Sequence, residues 1–293
     1  MTTVELLNTI VSALVLAAIY SLITMGYVVV YRSSHVFNFV NPEFMLIGAL
    51  IFSSISTGSV WGFVLALVVS VAATTIGAGT LYRTVIHRGT GLPHWVQMVL
   101  TMGLAAVGLN VAQLVAGSDL RYVRLPFEKV TWNVLGGATV TSDDVVILVS
   151  CLAVSSSMFW VLCRTSLGTR LRAAAENPGL AGTSGISTMW SFTLVWGLAA
   201  AAATVAGIAY SIRVPLSPTI VGVGLVAFPA SMLGGMDSVG GALVGALLLA
   251  LVQQFATALL GPQEAVAVSF ALVMVVLIVR PQGLFGSRTV ERV

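Results

Sequence analysis

Between residues 6 and 31 this chain carries no charged side chain. As a helix, that run would be about 39 Å long, more than the roughly 30 Å of hydrocarbon in a bilayer. Further charge-free runs follow at residues 44–53, 60–82, 95–116, 145–163, 189–212, 219–233, 242–260 and 265–279. About 20 apolar residues span a bilayer as a helix, so the sequence predicts an all-α, polytopic membrane protein with about eight or nine transmembrane helices. Residues 1–293 read as a single transmembrane domain. The runs at 44–53, 219–233 and 265–279 are short for full spans. They are expected to be tilted, extended by their neighbours, or only part-way through the membrane.

Composition points the same way. Only 8% of residues are charged, against roughly a quarter in soluble domains, too few to cover a water-facing surface. The net charge of +3 does not describe a nucleic-acid surface, because the arginines form no basic stripe with interleaved aromatics. Cys151 and Cys163 would lie roughly 18 Å apart along one helix, too far to bridge, and read as packing residues. At the N-terminus only Glu5 precedes the first run and no basic segment does. The run also exceeds the 7–15 or so residues of a signal-peptide core, so a retained helix is expected.

Lys and Arg collect on the cytoplasmic side of membrane proteins. Arg83 and Arg88, then Arg164, Arg170 and Arg172, then Arg280, Arg288 and Arg292 occupy three gaps rich in arginine, which places those gaps in the cytoplasm. The outer loop, residues 117–144, then faces outward. It holds Asp119, Glu128, Asp143 and Asp144 against Arg121, Arg124 and Lys129. Strict alternation over nine spans puts the N-terminus outside; one re-entrant segment would reverse it. Within the outer loop, residues 131–135 and 138–141 flank Gly136-Gly137, a pair suited to a hairpin turn. Two readings of this loop stand, a cap over helix ends and a docking surface for an extracytoplasmic partner.

Two interruptions concentrate polar residues. Residues 32–43 bring Arg32, His35, Asn38, Asn41 and Glu43 between two apolar runs, and Pro42 suits the first turn of a new helix with Asn41 as its cap. Broken helices of this kind form solute sites in several transporter folds; an ordinary cytoplasmic turn is the competing reading. Residues 234–241 hold Asp237 among glycines, where it could bind solute, cap the next helix or solvate a loop. Gly241 and Gly245 continue as a close-packing face. Each interruption is followed by Gly-Ala-Leu, at residues 48–50 and 245–247, which hints at a structural repeat.

Residues 164–188 form a cytoplasmic loop in which 171–176 favour a short helix. Pro178 suits the start of a second helix, which Gly182 and Gly185 would end. Such a pair would serve as a lever for a soluble partner or rest on lipid headgroups. The stretch Gly168-Thr-Arg-Leu-Arg-Ala-Ala-Ala-Glu-Asn-Pro178, followed by Ala181 and Gly185-Ile186, resembles the coupling-loop signature of the branched-chain amino acid ABC permeases. Asn38-Phe39 with Glu43 and Gly48-Ala49 is similar to that family's early motif. Gly234-Gly-Met-Asp-Ser-Val-Gly-Gly-Ala-Leu-Val-Gly245 and Arg280-Pro-Gln-Gly-Leu-Phe-Gly286 are similar to its later ones. Where the family usually has Ala-His-Gly before the acid, this chain has Val40-Asn41-Pro42.

The resemblance implies the helical importer fold shared with ribose-type permeases, in a multi-pass protein of a bacterial-type inner membrane. It implies a permease subunit importing a branched-chain amino acid or another small organic solute. The implied partners are two soluble ABC ATPases, a second permease (identical or related) and an extracytoplasmic solute-binding protein. Asn38, Asn41, Glu43 and Asp237 are the expected pathway residues. Arg170, Leu171, Arg172, Glu176 and Gly185 are the expected coupling residues. No Walker A loop occurs in the chain, so ATP and Mg are expected on the ATPases, with no cofactor or metal here.

Other classes fit less well. His87 and His94 lack the zinc-helix spacing and no serine sits in a G-x-S-x-G elbow, which argues against an intramembrane enzyme. A channel would need a filter or a charged ring. Secondary transport would need ion-coupling acids within the spans, and the charge-free runs contain none.

Overall fold

The computed structural model describes residues 2–89, 91–117, 120–123, 125–134 and 137–286. Asp119, Arg124, Leu135, Gly136, Arg288 and Arg292, named above, lie outside the described residues. The helices are α1 (Thr3–Ser34), α2 (Asn41–Ile55), α3 (Val60–Thr84), α4 (His94–Ala116), α5 (Ser142–Arg164), α6 (Ser166–Glu176), α7 (Pro178–Thr183), α8 (Thr188–Arg213), α9 (Ile220–Gly234), α10 (Val239–Leu259) and α11 (Pro262–Val279). A 3-10 turn, Ile86–Gly89, joins α3 to α4. The only sheet among the described residues is the outer hairpin, in which β1 (Thr131–Val134) pairs antiparallel with β2 (Ala138–Thr141). Each of the nine charge-free runs falls on one helix. Seven of these helices are long and apolar enough to cross a membrane, and α2 and α9 are the two short ones.

Side-chain contacts sort the helix ends into two faces. At one, Asn8 accepts from the amide of Thr139, Arg213 binds Asp144, and Arg121 pairs with Leu216 and donates to Ser54. At the other, Arg83 stacks on Trp190 and donates to Thr193, and the 280–286 tail binds the end of α9 through Leu284 and Phe285. This second face carries Arg32, Arg83, Arg88, Arg164, Arg170, Arg172 and Arg280 against Glu176 and Asp237. The excess of arginine makes it the cytoplasmic face. The N-terminus lies at the outer one, as strict alternation predicts.

Two segments cross the apolar layer partly as extended chain. After α1 ends, with His35 in a left-handed conformation at φ 52°, residues 35–40 climb back into the bundle. The Phe37 carbonyl accepts from Thr101 at 2.9 Å, about 10 Å up α4. Glu43 packs beside Gly108, about 21 Å up the same helix. Helix α2 therefore starts deep in the membrane and runs outward. Residues 214–219 do the reverse, leaving Leu216 at the outer face and starting α9 in the interior. There Gly224 packs against Pro42, and its carbonyl accepts from the Tyr27 hydroxyl at 3.1 Å.

These halves form an inverted repeat. Helices α1–α4 and α8–α11 run in opposite directions, α1 and α8 pack together at the centre, and α1 lies on α10 as α8 lies on α3. Likewise α2 lies on α8 as α9 lies on α1, and α4 covers α2 as α11 covers α9. Helices α5–α7 are the insertion between the halves.

This corrects the expected pairing of interruptions. Residues 234–241 are a turn at the cytoplasmic face, and α2 is matched by α9 instead of by the Gly-Ala-Leu of α10. The real partner of the first link contains Pro215 and Pro218. Two caps also differ. Ser238, not Asp237, caps α10 by accepting from Gly241. Val40 is the cap position of α2, while Asn41 enters the helix and turns its side chain to the Ile23 carbonyl.

Helices α9 and α10 meet at bare backbone, where a β-carbon at Gly245 would overlap the Ala230 carbonyl and one at Gly240 would meet open space. Gly245→Val is therefore expected to destabilise by about 1–3 kcal/mol through overpacking, and Gly240→Ala to be near neutral. Thermal unfolding of the purified chain in detergent measures both.

Candidate solute pathway and coupling surface

The tip of α2 is the most polar place in the bilayer interior. Asn38 accepts from the Val40 amide at 3.2 Å, and its Nδ2 has no partner among the described residues. Asn41, 0% exposed, donates to Ile23 O at 3.3 Å and leaves Oδ1 unpaired. Glu43, 4% exposed, leaves Oε2 unpaired. Buried polar atoms normally find partners, and an acid within the membrane marks function more often than packing. The sequence reading left the spans without acids; the structure puts Glu43 inside them, because the link that carries it re-enters the bilayer.

Three glycines from three helices surround this tip. Gly26 of α1 faces Asn41, Gly224 of α9 faces Pro42 and Gly108 of α4 faces Glu43. Below the tip, towards the cytoplasm, Phe228 of α9 stacks with Tyr27, Phe37 and Phe39, at centroid distances of 5.2, 5.7 and 5.3 Å. Tyr31 extends the cluster through Phe37. This aromatic layer separates the tip from the cytoplasmic face. Sequence reasoning missed it, since the rings come from α1, the first link and α9.

Asp237 is not at the tip. It lies in the α9–α10 turn and lines a cytoplasmic cavity of about 670 Å³ with Arg32, His35, Arg172 and Glu176. The structure thus gathers Asn38, Asn41 and Glu43 on one re-entrant segment and leaves Asp237 at the inner mouth.

The cytoplasmic loop folds as two short helices. α6 covers more residues than the 171–176 expected, and α7 opens at Pro178, with the Asn177 side chain accepting from Leu180 at 3.0 Å. Leu171 is buried on the inner side of α6. Arg172 turns back to donate to the Leu162 carbonyl at 2.6 Å, and Gly168 packs directly on the Leu162 backbone. Arg170 and Gly185 face outward with Leu180, which is 65% exposed, and the exposed Glu176 stands at the rim of the cytoplasmic cavity.

An apolar bundle with an inverted repeat, two re-entrant links and an exposed helical knuckle on its arginine-rich face is a membrane permease. The chain belongs to the family described as branched-chain amino acid transport system, permease component, which it matches over residues 9–279. It is 30% identical to the high-affinity branched-chain amino acid transport system permease protein LivH of Escherichia coli (strain K12), over 95% of this chain and 94% of that one. It is 28% identical to the corresponding protein BraD of Pseudomonas aeruginosa, over 98% of both. A probable LivH of Methanocaldococcus jannaschii is 24% identical over 92% of this chain and 90% of its own length. The chain is thus the permease component of a transport system, a multi-pass inner-membrane protein outside the enzyme families.

The two buried acids should respond oppositely to neutralisation. Asp144 binds Arg213 at 2.5 Å and closes a capping box with Thr141. Asp144→Asn should therefore lower stability by about 1–3 kcal/mol. Glu43→Gln removes a buried charge that has no ion-pair partner among the described residues and should leave stability unchanged or raised. Paired melting curves in detergent read the contrast.

Proposed function

We propose that the chain is the transmembrane permease subunit of an ATP-binding-cassette importer. It carries a branched-chain amino acid, or a small organic solute of similar size, into the cytoplasm. The observation that carries this reading is the polar tip of α2, held in the bilayer interior by a re-entrant link and flanked by bare glycine backbone, within a chain similar end to end to amino acid permeases. The direction of transport follows from the family.

The working assembly in this reading pairs the chain with an identical or related permease, two soluble ABC ATPases and an extracytoplasmic solute-binding protein. ATP and Mg reside on the ATPases, and this chain holds no cofactor. Arg170, Gly185 and the exposed Leu180 touch the ATPase, with Glu176 beside them at the rim of the cytoplasmic cavity. Leu171 and Arg172 act one step further in, fastening α6 to the end of α5 so that a push on the knuckle reaches the bundle. Asn38, Asn41 and Glu43 line the route when it opens. Where the family pattern that this chain resembles usually has Ala-His-Gly, this chain has Val40-Asn41-Pro42, and Asn41 supplies the polar group at the tip.

Reversing the charge and polarity of the contact tests the coupling. The double variant Arg170→Glu, Leu180→Glu should fold normally, because both side chains are exposed. It should reduce ATP-driven leucine uptake in reconstituted vesicles by about tenfold or more, while the ATPases keep hydrolysing. Full uptake by this variant would remove the knuckle from the coupling path.

A further inference from the structure

The cytoplasmic cavity sets the coupling helix against charges at the ends of other helices. Arg32, in the last turn of α1, makes no ion pair or side-chain hydrogen bond among the described residues, and neither does Glu176 of α6. Arg172 commits Nη1 to the Leu162 carbonyl and Nη2 to Thr169, and brings a second positive charge to the wall. Asp237 adds a second acid from the α9–α10 turn, and His35 closes the end of α1. Between these charges the surface is aliphatic, with Val29, Leu162, Leu171, Val195 and Val239. At about 670 Å³, the cavity falls in the range of about 300–1,000 Å³ typical of small-molecule sites.

A cavity with separate positive and negative corners and an apolar floor fits one ligand chemistry well. We infer that this vestibule binds a zwitterionic α-amino acid with an aliphatic side chain. Its carboxylate meets Arg32, its ammonium meets Glu176, and its side chain lies on Val29, Val195 and Leu171. The inference rests on reading the chain as an amino acid permease, and it adds a second site on the cytoplasmic side of the aromatic layer. Because α6 forms one wall, a bound amino acid ties the coupling helix to the ends of α1 and α8. Accumulated solute would then slow its own import.

Cys163 lines the same cavity, and the chain's other cysteine, Cys151, is buried in the bundle. Labelling of Cys163 by a small maleimide therefore reports on this site in the unmodified chain. Millimolar leucine should slow labelling several-fold, whereas 4-methylpentanoate, lacking the ammonium, and 3-methylbutylamine, lacking the carboxylate, should not. Arg32→Gln and Glu176→Gln should each weaken the protection by about tenfold without changing the rate in the absence of leucine. Labelling indifferent to leucine would overturn the inference, as would equal protection by the truncated analogues or protection that survives both substitutions. ATP-driven leucine uptake by the assembled transporter is measured separately. Uptake without protection defeats the vestibule site alone, and protection without uptake defeats the transport reading alone.

Discussion

Everything about this fold follows from the need to satisfy extended backbone in a medium that offers no hydrogen bonds. Each unpaired peptide group in hydrocarbon costs several kcal/mol, yet residues 35–40 and 214–219 cross part of the layer without helix. The first link is supported by Thr101, which donates to the Phe37 carbonyl, and by Asn38, which accepts from Val40. The turn that follows folds onto itself, with Asn41 and Glu43 donating to Asn38 and Val40. The second link solves the problem differently. Pro215 and Pro218 have no amide hydrogen to satisfy, and Leu216 exchanges both backbone bonds with Arg121 of the outer loop, at 2.7 and 3.1 Å. The outer connection is thus a structural member of the second half, and its Arg121 side chain also ties down the end of α2 through Ser54.

Supporting the links from outside themselves has a mechanical consequence. The tip of α2 meets its neighbours at Gly26, Gly108 and Gly224, which leave room for the Asn41, Glu43 and Pro42 side chains. The neighbours present bare glycine backbone to these side chains, a close contact that small residues allow and that sets no protruding side chain in the tip's way. Tight contact with few steric catches suits a segment that must shift during transport more than it suits a static core.

How far the sequence foretold this depends on which physical rule each feature obeys. The membrane helices were legible because lipid demands apolar runs, and the chain has nine of them, seven on helices long enough to cross. The knuckle at 166–183 was legible because its helix formers stand among polar residues and Pro178 and Gly185 punctuate them. Depth was not. Asn38, Asn41 and Glu43 read equally as a cytoplasmic turn or a membrane site, since composition is the same at either level. Only Thr101 and Gly108 on α4, sixty residues away, settle it. The repeat was misaligned for a related reason. Gly-Ala-Leu at 48 and 245 is a packing tripeptide that suits many membrane helices, while the equivalent feature of the second half is a proline pair with no resemblance to Asn-Pro-Glu. Symmetry here resides in backbone path, and two unlike sequences reach that path by supplying side-chain partners in one half and deleting donors in the other.

The same asymmetry bears on how the two halves can work. The first link ends in unpaired side-chain atoms at Asn38, Asn41 and Glu43, so it has hydrogen-bonding capacity to offer a solute. The second has spent its capacity on Arg121 and contributes Phe228, whose ring packs on Phe37 and Phe39 of the first link. A helix pair built by inversion has thereby divided its duties, one tip chemical and the other steric. The element joining them is α1. It contacts Asn41 through Ile23, donates to Gly224 through Tyr27, and packs with α6 at its cytoplasmic end. A displacement of α6 therefore reaches both tips through one rigid helix, without any chain of side chains passing the force between them.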